Sequence, residues 1–290
     1  MRIDAHQHFW RRARGDYRWL TPDAPALAPL LRDFEPADLQ PLLQRHGITQ
    51  TVLVQAADSV AETEFMLSLA DEQAFIGGVV GWVDLAQPAS VDVLQRLARH
   101  ARFKGVRPML QDLDDVQWIA TAPHPAVVQA LLGLGLRFDA LVKPPHLPGL
   151  LHFLAQWPEL PVVVDHAAKP PLAQPGNEWA LQAWRDGMKR LAQHPGLCCK
   201  LSGLVTEMAP QDCTSPERIA ASLWPVWHTL LEAFGPSRLM WGSDWPVLTL
   251  AAGYDTWVAA SDLLLAQLSP TEREQVLHGT ARRFYGLETR

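Results

Sequence analysis

Residues 2–9 read Arg-Ile-Asp-Ala-His-Gln-His-Phe, an apolar-rich run of strand length. Alternate side chains of a strand share a face, so His6 and His8 point the same way, with Asp4 expected below them. Two imidazoles held side by side can bind a divalent metal or polarise a carbonyl. The plain alternative is a pair of histidines with only a structural use. What decides between them is whether other segments bring matching groups to the same place.

Seven further β-rich runs follow: Thr49–Ala56, Ile76–Asp84, Phe103–Leu110, Arg137–Lys143, Pro161–Ala168, Leu197–Leu204 and Leu239–Pro246. Nearly continuous apolar runs of this length suit strands covered on both faces, as in a parallel sheet. Amphipathic helical patterns fill the gaps. Ser59-Val-Ala-Glu62 and Ser269-Pro-Thr-Glu272 read as capping boxes, and Pro36 opens a helix to Arg45 that stops at Gly47. Eight strand–helix alternations predict an α/β protein, a single-domain (β/α)8 barrel over residues 1–290. A doubly wound sheet would want a glycine-rich turn after its first strand, and His-Gln-His-Phe-Trp is not one.

Segments entering the strands are short, such as His46-Gly47-Ile48. Those leaving them are long: Trp10 to Phe34, Lys169 to Asn177, and Val205 to Pro216. A barrel builds its active site from such exit loops. His6, His8, His166 and Asp244 all fall at or near strand exits, and the first and last strands become neighbours on closure. Three imidazoles and a carboxylate can hold one divalent ion, zinc foremost, with room for a water. The same set can also work without metal, with Asp244 taking a proton from water while the imidazoles polarise a carbonyl.

Composition narrows the partners. The 290 residues are 48% hydrophobic and 19% charged, which suits a large core, and the formal net charge of −6 includes no basic run to recruit nucleic acid. Three cysteines, Cys198, Cys199 and Cys213, read as reduced thiols. With no signal peptide and no apolar run of bilayer length, the expectation is a cytoplasmic protein without membrane contacts, as a monomer or a homo-oligomer.

At these residues the chain resembles the amidohydrolase superfamily, and within it the "amidohydrolase 2" branch of sugar-lactone and related lactone hydrolases. The likeness rests on Asp4-Ala-His-Gln-His-Phe-Trp10, Tyr17-Arg-Trp-Leu20, Phe103-Lys-Gly-Val-Arg-Pro108, Val162-Val-Val-Asp-His-Ala-Ala-Lys-Pro170, Lys200-Leu-Ser-Gly-Leu204, Met240-Trp-Gly-Ser-Asp-Trp-Pro246 and Ala281-Arg-Arg-Phe-Tyr-Gly-Leu287, nearly the whole length. It implies hydrolysis of a sugar-derived lactone, such as L-fuconolactone or a similar aldonolactone, with Asp244 as general base. His6, His8 and His166 would surround the carbonyl, and Arg107 would contact substrate. The fourth strand carries no Glu near its end and the fifth ends in Val142-Lys143 without a histidine, which speaks against a two-metal centre. Zinc-dependent decarboxylases share this barrel, and a barrel that binds a sugar acid without chemistry is a further alternative.

Among the remaining residues, Trp19 can stack on a sugar ring or close the core. His124, in a proline-flanked segment after the fourth strand, could reach the pocket. Lys169 follows His166 closely and, like Glu207, sits on an exit loop, where solvation is the simpler use. Asp165 is expected to face away from His166 and to anchor a backbone amide.

Overall fold

The computed structural model describes residues 1–173, 176 and 178–288. Part of the expected exit segment Lys169–Asn177 (Gln174, Pro175 and Asn177) and the last two positions lie outside the described residues. Eight parallel strands follow one another around a (β/α)8 barrel: β1 Arg2–Gln7, β2 Ile48–Val54, β3 Ile76–Gly81, β4 Phe103–Val106, β5 Arg137–Ala140, β6 Val162–Val164, β7 Cys198–Leu201 and β8 Leu239–Trp241. Most end several residues before their apolar runs do. Most of those extra residues are buried, but they have already left the ladder to build the exit loops.

Alternation sorts the strand residues. Ile3, Ala5, Val52, Val54, Val80, Val163 and Met240 fill the interior, and Ala281, Phe284, Tyr285 and Leu287 close its base. Leu53, Val79, Phe138, Leu201 and Trp241 belong to the larger cluster under the helices. The ring closes through the site itself. Past the end of β8, the Asp244 amide donates to the His6 carbonyl at 2.8 Å and the His8 amide to the Trp245 carbonyl at 2.7 Å.

Two local expectations are corrected. Asp4 does not lie below the histidines on their face: its carboxylate accepts from the Ser243 amide and the Tyr254 hydroxyl, between β1 and the helix layer. The β1–β2 register shifts between Asp4 and Gln7, which breaks strict alternation and lets His6 turn inward. Ser59 does cap the helix Val60–Glu72, but the Glu62 carboxylate leaves the box to accept the Tyr17 hydroxyl at 2.8 Å. The Ser269 box and the helix Pro36–Arg45 form as expected. All three cysteines are free.

Candidate active site

Four side chains from three strand exits meet at one point. His6 Nε2 lies 3.1 Å from His8 Nε2, and His8 Nε2 lies 3.2 Å from Asp244 Oδ1. Asp244 Oδ1 is 3.7 Å from His6 Nε2 and 3.8 Å from His166 Nε2. The Val54 carbonyl lies 2.8 Å from His8 Nδ1 and fixes the ring so that Nε2 faces Asp244. Ser202 Oγ orients His166 through Nδ1 at 3.0 Å.

The spacing was also tested against a metal. A tetrahedral zinc with ligand bonds of about 2.0–2.1 Å needs donors roughly 3.3 Å apart. The separations of 3.1, 3.2 and 3.7 Å among His6, His8 and Asp244 straddle that value, so these three fit one divalent ion, while His166, expected as a fourth ligand, groups with His6 and Asp165 instead. No second carboxylate joins them from β4, and β5 exits into the cavity with Leu141.

The local backbone explains how these groups converge. His166, Ala167, Ala168 and Lys169 all have φ near +50°, as does Asp244 at 61°. Side chains other than glycine rarely occupy this region, at a cost of about 1–3 kcal/mol each. The turn after β6 is held by the Trp184 indole, which donates to the Ala167 carbonyl at 2.7 Å. Gly203 makes room for it: a Cβ there would stand 2.4 Å from His166 Nδ1. Gly242 does the same for His6, whose Cβ would be 2.9 Å away.

A layer of charge lies beneath the imidazoles, and the sequence reading missed it. Lys200, fully buried on β7, sits 2.6 Å from Asp139 Oδ2, 2.9 Å from Asp165 Oδ1 and 3.1 Å from His6 Nδ1. The Tyr285 hydroxyl also donates to Asp139, at 2.8 Å. Asp165 therefore points inward, 3.4 Å from His6 Nδ1 and 3.5 Å from the Arg107 guanidinium, instead of anchoring a backbone amide on the far side. β6 ends at Val164, so strand alternation no longer governs Asp165. Arg107 rises from the end of β4 to place NH1 3.4 Å from His6 Nε2, while NH2 donates to the Gln55 carbonyl.

Burial sets the protonation. It pulls His6 well below its ordinary value, helped by the Lys200 charge. It also lowers His166 to about 4 against the opposing pull of Asp244 and Asp165. For Asp244, burial works upward but is outweighed by His166, the His8 hydrogen bond and His6, so the group lies below the usual carboxylate range. At neutral pH the site holds an ionised carboxylate beside the neutral imidazoles of His6 and His166.

A cavity of about 200 Å³ opens on this cluster. That is smaller than the ~300–1,000 Å³ of pockets for drug-sized ligands and suits a single ring. His8, His166, Asp244 and Arg107 form one side; Trp19, Leu27, Met109, Leu141 and Val247 form an apolar wall; Gln111 and Lys169 also line it. The Trp19 indole is fixed by donating to the Ala56 carbonyl at 2.7 Å, leaving its ring to the cavity. Lys169 pairs with Glu207 at 3.3 Å. His124 is not brought to this cavity. It caps the helix Pro125–Gly133, its Nδ1 accepting from the Ala126 amide, because a residue before an N1 proline is placed to cap.

Comparison with known proteins gives the same picture. A family model described as Amidohydrolase matches residues 3–287. An L-fucono-1,5-lactonase of Burkholderia ambifaria is 43% identical, aligning 99% of this chain with 96% of its own. A second, from Burkholderia multivorans, is 39% identical with the same coverage. The crystal structure of an amidohydrolase from Burkholderia multivorans with bound zinc superposes with a TM-score of 0.89 at 37% identity, covering 99% of this chain and 100% of that one. Among the described residues, no helix is long and apolar enough to cross a membrane.

Proposed function

The chain belongs to the amidohydrolase family, and we propose that it is a sugar-lactone hydrolase, opening L-fucono-1,5-lactone or a similar aldonolactone to the aldonic acid. The observation that carries the reading is the setting of Asp244, an ionised carboxylate among three imidazoles, on a cavity sized for one sugar ring that Arg107 also lines.

A water between Asp244 and the lactone carbonyl carbon gives its proton to the carboxylate as its oxygen attacks. Charge developing on the carbonyl oxygen is met by Arg107, whose Nε has no partner among the described residues. The His8 and His166 rings line the same cavity, and Trp19 offers its face to the sugar ring. The tetrahedral species then collapses, breaking the bond to the ring oxygen. Asp244 returns its proton to that oxygen, so base and acid are one group in two steps. A divalent ion, when bound, would be held by His6, His8 and Asp244 and would supply Lewis-acid polarisation of the carbonyl.

Decarboxylation is the less favoured reading, since the β5 exit brings Leu141 and no histidine to the cavity. The test is a panel of aldonolactones, with and without chelator, followed by proton release with a pH indicator. Ring opening of at least one is expected. Carbon dioxide release from an aromatic acid, with no lactone opened, would overturn the reading.

A further inference from the structure

Gln111 stands out among the cavity residues because its carboxamide is unspent. Its Oε1 is buried without a hydrogen-bond partner, and among the described residues the side-chain amide makes no hydrogen bond at all. A buried acceptor left unpaired is unfavourable, so such a group is expected to meet a partner in the working state. Its backbone is held: the neighbouring Leu110 is buried in the core, and the Lys143 ammonium donates to the Gln111 carbonyl at 3.4 Å. Arg107 and Gln111 also leave the same strand, β4, four residues apart, so one rigid segment carries both a group at the reacting end and an amide on the wall.

We propose that Gln111 is a specificity-determining residue that reads a ring hydroxyl of the lactone, an inference that rests on the sugar-lactone reading. A carboxamide presents both a donor and an acceptor, and so does a hydroxyl, which makes the match chemical as well as steric. Of the other lining groups, Leu27, Met109, Leu141 and Val247 offer hydroxyls nothing, Lys169 is engaged by Glu207, and the Asp112 carboxylate can only accept. The amide therefore tells a polyhydroxylated ring from a bare one. A site built around such a bond rejects the analogue that lacks the hydroxyl.

The experiment compares L-fucono-1,5-lactone with unsubstituted δ-valerolactone on the wild type and on Gln111→Met, which keeps the length and removes the amide. One neutral hydrogen bond is worth about 0.5–1.5 kcal/mol, so the ratio of kcat/KM between the two lactones is expected to fall severalfold, up to about tenfold, through KM. An unchanged ratio, or a loss carried by kcat alone, would overturn the proposal. Calorimetry with the product L-fuconate gives an arm independent of turnover. Binding severalfold weaker, up to about tenfold, in Gln111→Met supports the role; equal affinity, or no binding to either protein, overturns it. A wild type that opens neither lactone sinks the hydrolase reading, while the calorimetric arm still judges Gln111.

Discussion

The Lys200 ammonium stands 3.1 Å from His6 Nδ1, on the side of the imidazole away from Asp244. A positive charge there, added to full burial, keeps His6 neutral in the pH range where Asp244 is ionised. Asp139 and Asp165 balance the lysine from below. The floor of the barrel is thus an ionic layer that sets the electrostatics of the site above it.

Removing that lysine should be felt by the whole fold. Lys200→Met leaves the buried Asp139 without its cation and Asp165 with Arg107 alone, and breaking a buried pair is typically worth about 3–5 kcal/mol. The denaturant midpoint should fall accordingly, and Lys200→Met with Asp139→Asn should recover part of it. A single variant as stable as the wild type would show that the layer contributes nothing.

Glu62 should make stability depend on pH. Burial raises its carboxyl to about 7, in spite of the Tyr17 hydrogen bond. A raised acid keeps its proton in the folded state, so its contribution is full at low pH and is lost as pH climbs from about 4.5 through 7. Glu62→Gln should flatten that part of the stability curve, a difference on the order of 3 kcal/mol between its ends. Parallel curves for the two proteins in chemical denaturation would refute the assignment.

His166 works in the opposite direction. Its folded value of about 4 lies below the ordinary 6.5, so the unfolded chain takes up a proton first. Stability from this group is full above 6.5 and declines as pH falls toward 4. The same depression keeps the native imidazole neutral, so the acid limb of kcat/KM should lie near pH 4. A limb centred near 6.5 would contradict the burial argument.

Metal content should be at most one ion per chain. His6, His8 and Asp244 can share one ion, and β4 contributes Arg107 where a bridging carboxylate would be needed for a second. Elemental analysis after dialysis against zinc should give a ratio no greater than one, and His6→Ala with His8→Ala should abolish it. Two ions per wild-type chain would show a ligand set other than this one.

Strand periodicity and the long exit segments made the barrel legible, because eight apolar runs of one length have few other uses. The histidines and Asp244 were legible for the same reason: each sits where a strand ends. Lys200 was not, since a lysine inside an apolar strand looks like a break in pattern until Asp139 and Asp165 are seen around it. Asp165 and Asp4 were misplaced by strict alternation, which fails at the left-handed turn after Val164 and at the β1 register shift. His124 was drawn toward the pocket by its neighbourhood in sequence, when the proline after it marks a helix cap.

The central claim is that Asp244 moves the proton in lactone opening, and Asp244→Asn tests it most directly. The variant should fold like the wild type and hydrolyse its best lactone at least about a hundredfold more slowly, as expected for a lost general base. A wild-type rate in that variant, at matched folding, would contradict the account.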